Sequence, residues 1–258
     1  MRELEPLWPE APADDPRQAV TLRWMPVARA KSACVVLPGG AYRMHADHEA
    51  ERIGTWLNTL GVSAAVVRYR VAPNRHPAPL TDAAEAMRQV RHRVGDMPVG
   101  VIGFSAGGHL GSTLSNHYAD TEPGDLARPD YAILCYPVIH LLTAAAHLGS
   151  RQHLLADTQT PELLTKLSNE KHVTERTPPT FLWHTAEDAG VLPVHSLMYA
   201  SALAEKGVPF EVHVFERGRH GLGLCEGAEM PAEVREWSAL CGRWLVVHGW
   251  ADRAVAEP

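Results

Sequence analysis

The chain has 258 residues, 45% hydrophobic and 21% charged, with a formal net charge of −6. That composition suits an ordinary globular domain and carries no basic stripe of the kind a nucleic-acid binder needs. No apolar run approaches the roughly 20 residues of a membrane span, so neither nucleic acid nor membrane is expected as a partner.

Residues 1–19 hold several prolines and acids and read as an extended lead-in, without the apolar core of a secretory signal. Thr21–Met25 reads as a first edge strand. Apolar runs rich in β-branched residues follow at 33–37, 63–69, 99–104, 131–136, 180–184 and 210–215. Helix patterns near 48–60, 80–95, 107–117, 194–206 and 231–247 separate them. This alternation predicts an α/β fold, a mainly parallel doubly wound sheet flanked by helices, in a single domain over 1–258. The interval 140–178 is too long for a simple crossover. It is expected to form a small, cap-like helical insertion over the C-terminal edge of the sheet, leaving the cleft rather open. Cys34, Cys135, Cys225 and Cys241 show no metal-ligand spacing. Cys34 and Cys135 fall in strand-like runs and read as buried free thiols, which points to a reducing, cytoplasmic setting.

Gly103-Phe104-Ser105-Ala106-Gly107 sits between the apolar run ending at Ile102 and a helix-compatible stretch. A strand–Gly-x-Ser-x-Gly–helix pattern marks a nucleophile elbow. The turn is so tight that residues two before and two after the serine must be nearly free of side chain, which glycine satisfies. Such a turn projects the Ser105 hydroxyl into a cleft and sets the Ala106 amide at a helix N-terminus, where an oxyanion can be held. Upstream, Pro38-Gly39-Gly40-Ala41-Tyr42 directly follows a strand ending at Leu37. Paired glycines there let backbone amides turn inward, so Gly39, Gly40 and Ala106 are the expected oxyanion donors.

The acid is sought on the loop after the run 180–184. Asp188 is preferred over its neighbour Glu187, because the shorter side chain suits a tight loop tip and Asp188-x-x-Val191 is a spacing typical of such loops. Among fifteen histidines, position selects His220, in Gly218-Arg219-His220-Gly221 after the last clear strand. The order Ser105, Asp188, His220 is the order of the α/β-hydrolase triad. His184 and His213 lie within strands and read as structural. His109 reads as locally packed, and His45 and His48 as solvated loop residues.

These segments form one linked set with His48-Glu49, Trp56 to Gly61, Arg68-Tyr69-Arg70-Val71, His76-Pro77-Ala78-Pro79 and Gly221-Leu222-Gly223. Over roughly residues 20 to 248 the set resembles small bacterial α/β-hydrolases of the acetyl esterase and acetyl-xylan esterase kind, close to the hormone-sensitive-lipase-like group. The resemblance implies a Ser–Asp–His carboxylesterase acting on short acyl esters, often of sugar hydroxyls or xylo-oligosaccharides, with no cofactor and no metal. The chain departs in two places. Its oxyanion segment reads Pro-Gly-Gly-Ala where the lipase-like relatives have His-Gly-Gly-Gly, and Glu49-Ala50 stands where many relatives have Glu-Gly. Other acyl hydrolases on the same fold remain open, such as an arylformamidase or small peptidase, as does a non-catalytic hydrolase-fold receptor. A serine in the elbow disfavours the dienelactone hydrolase type, which uses cysteine. The oligomeric state has no signature in the sequence.

Overall fold

The computed structural model of the chain describes residues 4–226 and 231–252. All the strand-like runs lie in one eight-stranded sheet of order β1-β2-β4-β3-β5-β6-β7-β8. Strands β3 (Ser32–Leu37), β4 (Val62–Arg68), β5 (Val99–Phe104), β6 (Ala132–Cys135), β7 (Thr180–Thr185) and β8 (Phe210–Phe215) run parallel. Only β1 (Glu5–Pro6) and β2 (Thr21–Met25) add antiparallel pairings. The expected doubly wound α/β sheet is thus the observed one.

Every residue of β3, β5, β6 and β7 is buried, because helices cover both faces. Alternate side chains feed two separate cores, as the two-residue period of a strand requires. Val35, Val101 and Leu134 face helices α2 (Ala78–Val94), α3 (Ala106–His117) and, further along, α6 (Val194–Glu205). Val36, Ile102 and Ile133 face α1 (Glu51–Thr59) and α7 (Ala232–Val247). Among the described residues no helix is long and apolar enough to cross a membrane.

Three local details differ from the sequence reading. Thr21–Met25 is not the edge strand, since the two-residue β1 pairs outside it. A two-residue strand is too short to show any alternation. The lead-in is also not simply extended. Pro16–Ala19 forms a 3-10 turn, started by the Asp15 carboxylate accepting the Arg17 amide at 2.8 Å. Helix α1 begins at Glu51 rather than 48, because Asp47–Glu49 makes its own 3-10 turn and Ala50 breaks the helical dihedrals. The lead-in is pinned by the buried Asp82 carboxylate, which accepts from Trp8 Nε1 at 2.9 Å and from Arg70.

The interval 140–178 contains α4 (Leu148–Leu155) and α5 (Pro161–Lys166), the second capped by Thr160. Leu141, Leu154, Leu155 and Leu167 join the same core as α2 and α3. Two buried histidines fasten the segment. His195 Nδ1 accepts the amides of Ile139 and His140 while its Nε2 donates to the Ala145 carbonyl. His109 Nε2 donates to the Leu167 carbonyl. At the opposite, N-terminal edge of the sheet, Asp252 bonds to Leu60 and pairs with Lys31, and Trp250 accepts from Ser32.

Candidate active site

Strands β3 and β5 are neighbours, yet the chain leaves β3 toward β4 on one side and β5 toward β6 on the other. A crevice opens at the carboxyl ends of strands where the order reverses in this way. The loops after β3, β5, β7 and β8 carry the residues that meet there.

After β5 the chain turns at Ser105 with φ 53° and ψ −116°. A Cβ on Gly103 would lie 2.2 Å from the Gly107 carbonyl oxygen, and one on Gly107 would lie 2.0 Å from that of Leu37. Both glycines are therefore fixed by backbone-to-backbone packing. The Ser105 amide bonds to the Cys135 carbonyl at 3.0 Å, and Ser105 itself is 6% exposed.

The loop after β3 is held as tightly. Gly40 has φ 123°, and a Cβ there would lie 2.2 Å from the Met44 carbonyl oxygen. Ala41 and Tyr42 follow with φ of 55° and 56°, the left-handed region that costs side-chain-bearing residues energy. Tyr42 is locked there by donating to His109 Nδ1 at 2.8 Å. Of the three expected oxyanion donors, Gly39 is corrected. Its amide already donates to Glu49 Oε2 at 2.8 Å, so it is engaged by the protein. The Gly40 and Ala106 amides have no intramolecular acceptor among the described residues.

His220 Nε2 lies 2.8 Å from Ser105 Oγ, and His220 Nδ1 lies 2.6 Å from Asp188 Oδ2. Asp188 is 2% exposed, and its Oδ1 accepts the amides of Gly190 and Val191, both at 2.9 Å. Burial pushes the Asp188 pKa up. Hydrogen bonds from His184, His220 and Val191 outweigh that and hold it below the usual carboxylate range. A Nδ1 proton facing Asp188 leaves Nε2 free to accept from the serine. The rival acid Glu187 is exposed and turns away, accepting the Gly218 amide at 3.1 Å. His184 is internally satisfied, 2.8 Å from both Ser196 Oγ and the Val191 carbonyl. His45 packs edge-on to Tyr69, and burial pulls its pKa down to about 4.

The sequence reading quoted His48-Glu49 but missed what these two side chains hold. Glu49 is a carboxylate only 2% exposed, and Tyr136 donates to its Oε1 at 2.6 Å. An acid just before an amphipathic helix reads as a surface group, and nothing in the local pattern marks it as buried. His48 is exposed as read, but its Nε2 also lies 3.0 Å from the Gly221 carbonyl. Among the described residues no cluster of three or more His, Cys, Asp or Glu side chains is placed to hold a metal ion.

Comparison with known proteins agrees with this architecture. A solved acetyl ester-xyloside bifunctional hydrolase from Caldicellulosiruptor lactoaceticus superposes with a TM-score of 0.87 at 40% identity, covering 97% of each chain. Endo-1,4-beta-xylanase B of Butyrivibrio fibrisolvens is 37% identical over 207 residues, 74% of this chain and 32% of the relative. An acetylxylan esterase of Xylanibacter ruminicola is 30% identical over 220 residues, 81% of this chain and 45% of the relative. The chain thus spans about a third of the first of these two proteins and less than half of the second. Residues 34–224 match the family described by the alpha/beta hydrolase fold, and the chain belongs to that family.

Proposed function

We propose that the protein is a serine carboxylesterase that cleaves short-chain acyl esters, acetyl esters above all, through an acyl-enzyme. The observation that carries this reading is the continuous line from Ser105 Oγ through His220 to Asp188, with hydrogen-bond distances of 2.8 and 2.6 Å, in a serine elbow. Ser105 attacks the ester carbonyl while His220 Nε2 takes its proton. Asp188 holds the imidazole tautomer and stabilises the imidazolium. The amides of Gly40 and Ala106 receive the oxyanion. His220 then protonates the departing alcohol, and a water activated by His220 releases the acid.

The acetyl preference and a sugar alcohol, such as an acetylated xylo-oligosaccharide, are supported by the relatives named above. We read the described chain as one catalytic domain with 140–178 as its cap. Four buried free thiols support a reducing, cytoplasmic setting. The test is direct. Purified protein should hydrolyse p-nitrophenyl acetate, release acetate from acetylated xylo-oligosaccharides and take up a fluorophosphonate probe at Ser105. Labelling at another serine, or no turnover of any acetyl ester, would overturn the proposal.

A further inference from the structure

We propose that Glu49 is a positioning residue, one buried carboxylate that sets both the oxyanion loop and the histidine loop against Ser105. The inference rests on the reading of Ser105 as the nucleophile. Three arms leave this carboxylate. Oε2 accepts the Gly39 amide at 2.8 Å, which fixes the Pro38–Gly39 peptide, one before the peptide that carries the Gly40 amide. A Cβ added at Gly39 would lie 3.0 Å from Ser105 Cβ, so this segment abuts the nucleophile. Oε1 accepts the Tyr136 hydroxyl at 2.6 Å. Tyr136 Oη in turn accepts the Gly223 amide at 2.8 Å, and its ring stands edge-on to His220 at 5.1 Å. The third arm is His48, whose Nε2 lies 3.6 Å from Oε1 and 3.0 Å from the Gly221 carbonyl. Gly221 and Gly223 lie one and three residues after His220. One side chain therefore ties the loop after β3 to the loop after β8.

The charge matters as well as the shape. Burial raises the Glu49 pKa, while Tyr136, His48, Gly39 and His220 all favour the ionised form. Both oxygens accept, which is the pattern of a carboxylate. Burying a charge is costly unless its neighbours satisfy it. A glutamine of the same size can accept from one of Gly39 and Tyr136 but not from both, because its amide nitrogen only donates. Glu49→Gln thus removes the charge and one of the two accepted hydrogen bonds with little change in volume.

Glu49→Gln, Tyr136→Phe and Ser105→Ala should be compared with the parent on p-nitrophenyl acetate. A trifluoromethyl ketone, whose serine adduct carries an oxyanion, serves as the second probe. Glu49→Gln is expected to lower kcat by about 10- to 100-fold with KM within about twofold, as for a loss felt only in the transition state. Ketone affinity should fall by a matching factor. Tyr136→Phe should show a smaller fall of the same kind in folded protein. Parental kcat and ketone affinity in Glu49→Gln would overturn the proposal, as would a lowered melting temperature with unchanged kcat. If Glu49→Gln does not fold, Tyr136→Phe decides alone, and a parental kcat there overturns it. A parent without turnover, or a Ser105→Ala variant that retains it, sinks the esterase reading itself and this inference with it.

Discussion

Ser105 sits at φ 53°, ψ −116°, a backbone conformation costing a side-chain-bearing residue roughly 1–3 kcal/mol. The fold tolerates that strain at a hydroxyl that faces His220. Ser105→Ala should therefore lower kcat by roughly 10³-fold or more with the fold intact. Ser105→Gly should be equally inactive yet melt higher than the parent, since glycine adopts this φ freely. A lower melting point for the glycine variant would refute the strain argument. The acid separates just as cleanly. Asp188→Asn should cost on the order of 10²–10⁴-fold in kcat, while Glu187→Gln should stay within about twofold, because Glu187 bonds to Gly218 and not to His220. Steady-state kinetics on both variants checks the pair. That Ser105, Asp188 and His220 meet could be read because the elbow has its own local spacing and an alternating strand–helix chain puts the loops after successive parallel strands at one edge of the sheet. The engagement of Gly39 could not, because its partner Glu49 lies ten positions away and its burial follows from tertiary packing.

At the scale of elements, the fastening of 140–178 has a pH dependence. Burial pulls the pKa values of His109 and His195 down to about 4, and both hold the segment as neutral rings. Unfolded, such rings titrate near 6.5, so between about pH 4 and 6.5 the unfolded state binds more protons. Their contribution to stability is complete above about pH 6.5 and is lost as pH falls toward 4. Protonated Nδ1 atoms could no longer accept from Tyr42, Ile139 and His140. Hydrogen exchange at pH 5 against pH 7.5, corrected for intrinsic rates, should therefore show 140–172 losing protection ahead of β3, β5 and β6. Uniform loss across sheet and segment would contradict it. The parallel strands were readable because burial on both faces leaves continuous apolar runs. The two-residue β1 and the 3-10 turn before α1 were not, since pieces that short carry no period.

Across the whole molecule, 140–178 contributes two short helices, α4 of 8 residues and α5 of 6, and α5 lies beside the far end of α3, where Lys166 pairs with Asp120 at 2.9 Å. We read the site as lightly roofed, so a long acyl chain meets little apolar wall, and each added methylene contributes at most about 0.8 kcal/mol when it can be buried at all. Across an acyl series at fixed leaving group, kcat/KM should peak at two to four carbons, and a maximum at eight or beyond would reject the short-chain assignment. All four loops that build the site leave the carboxyl ends of the strands, whereas Trp250 and Asp252 rest against the amino ends of β3 and β4. The molecule therefore has a working end and a mounting end. Anchored to a bead at this face, through Lys31 or Asp252, it would present its cleft outward to a polymer too large to diffuse behind it.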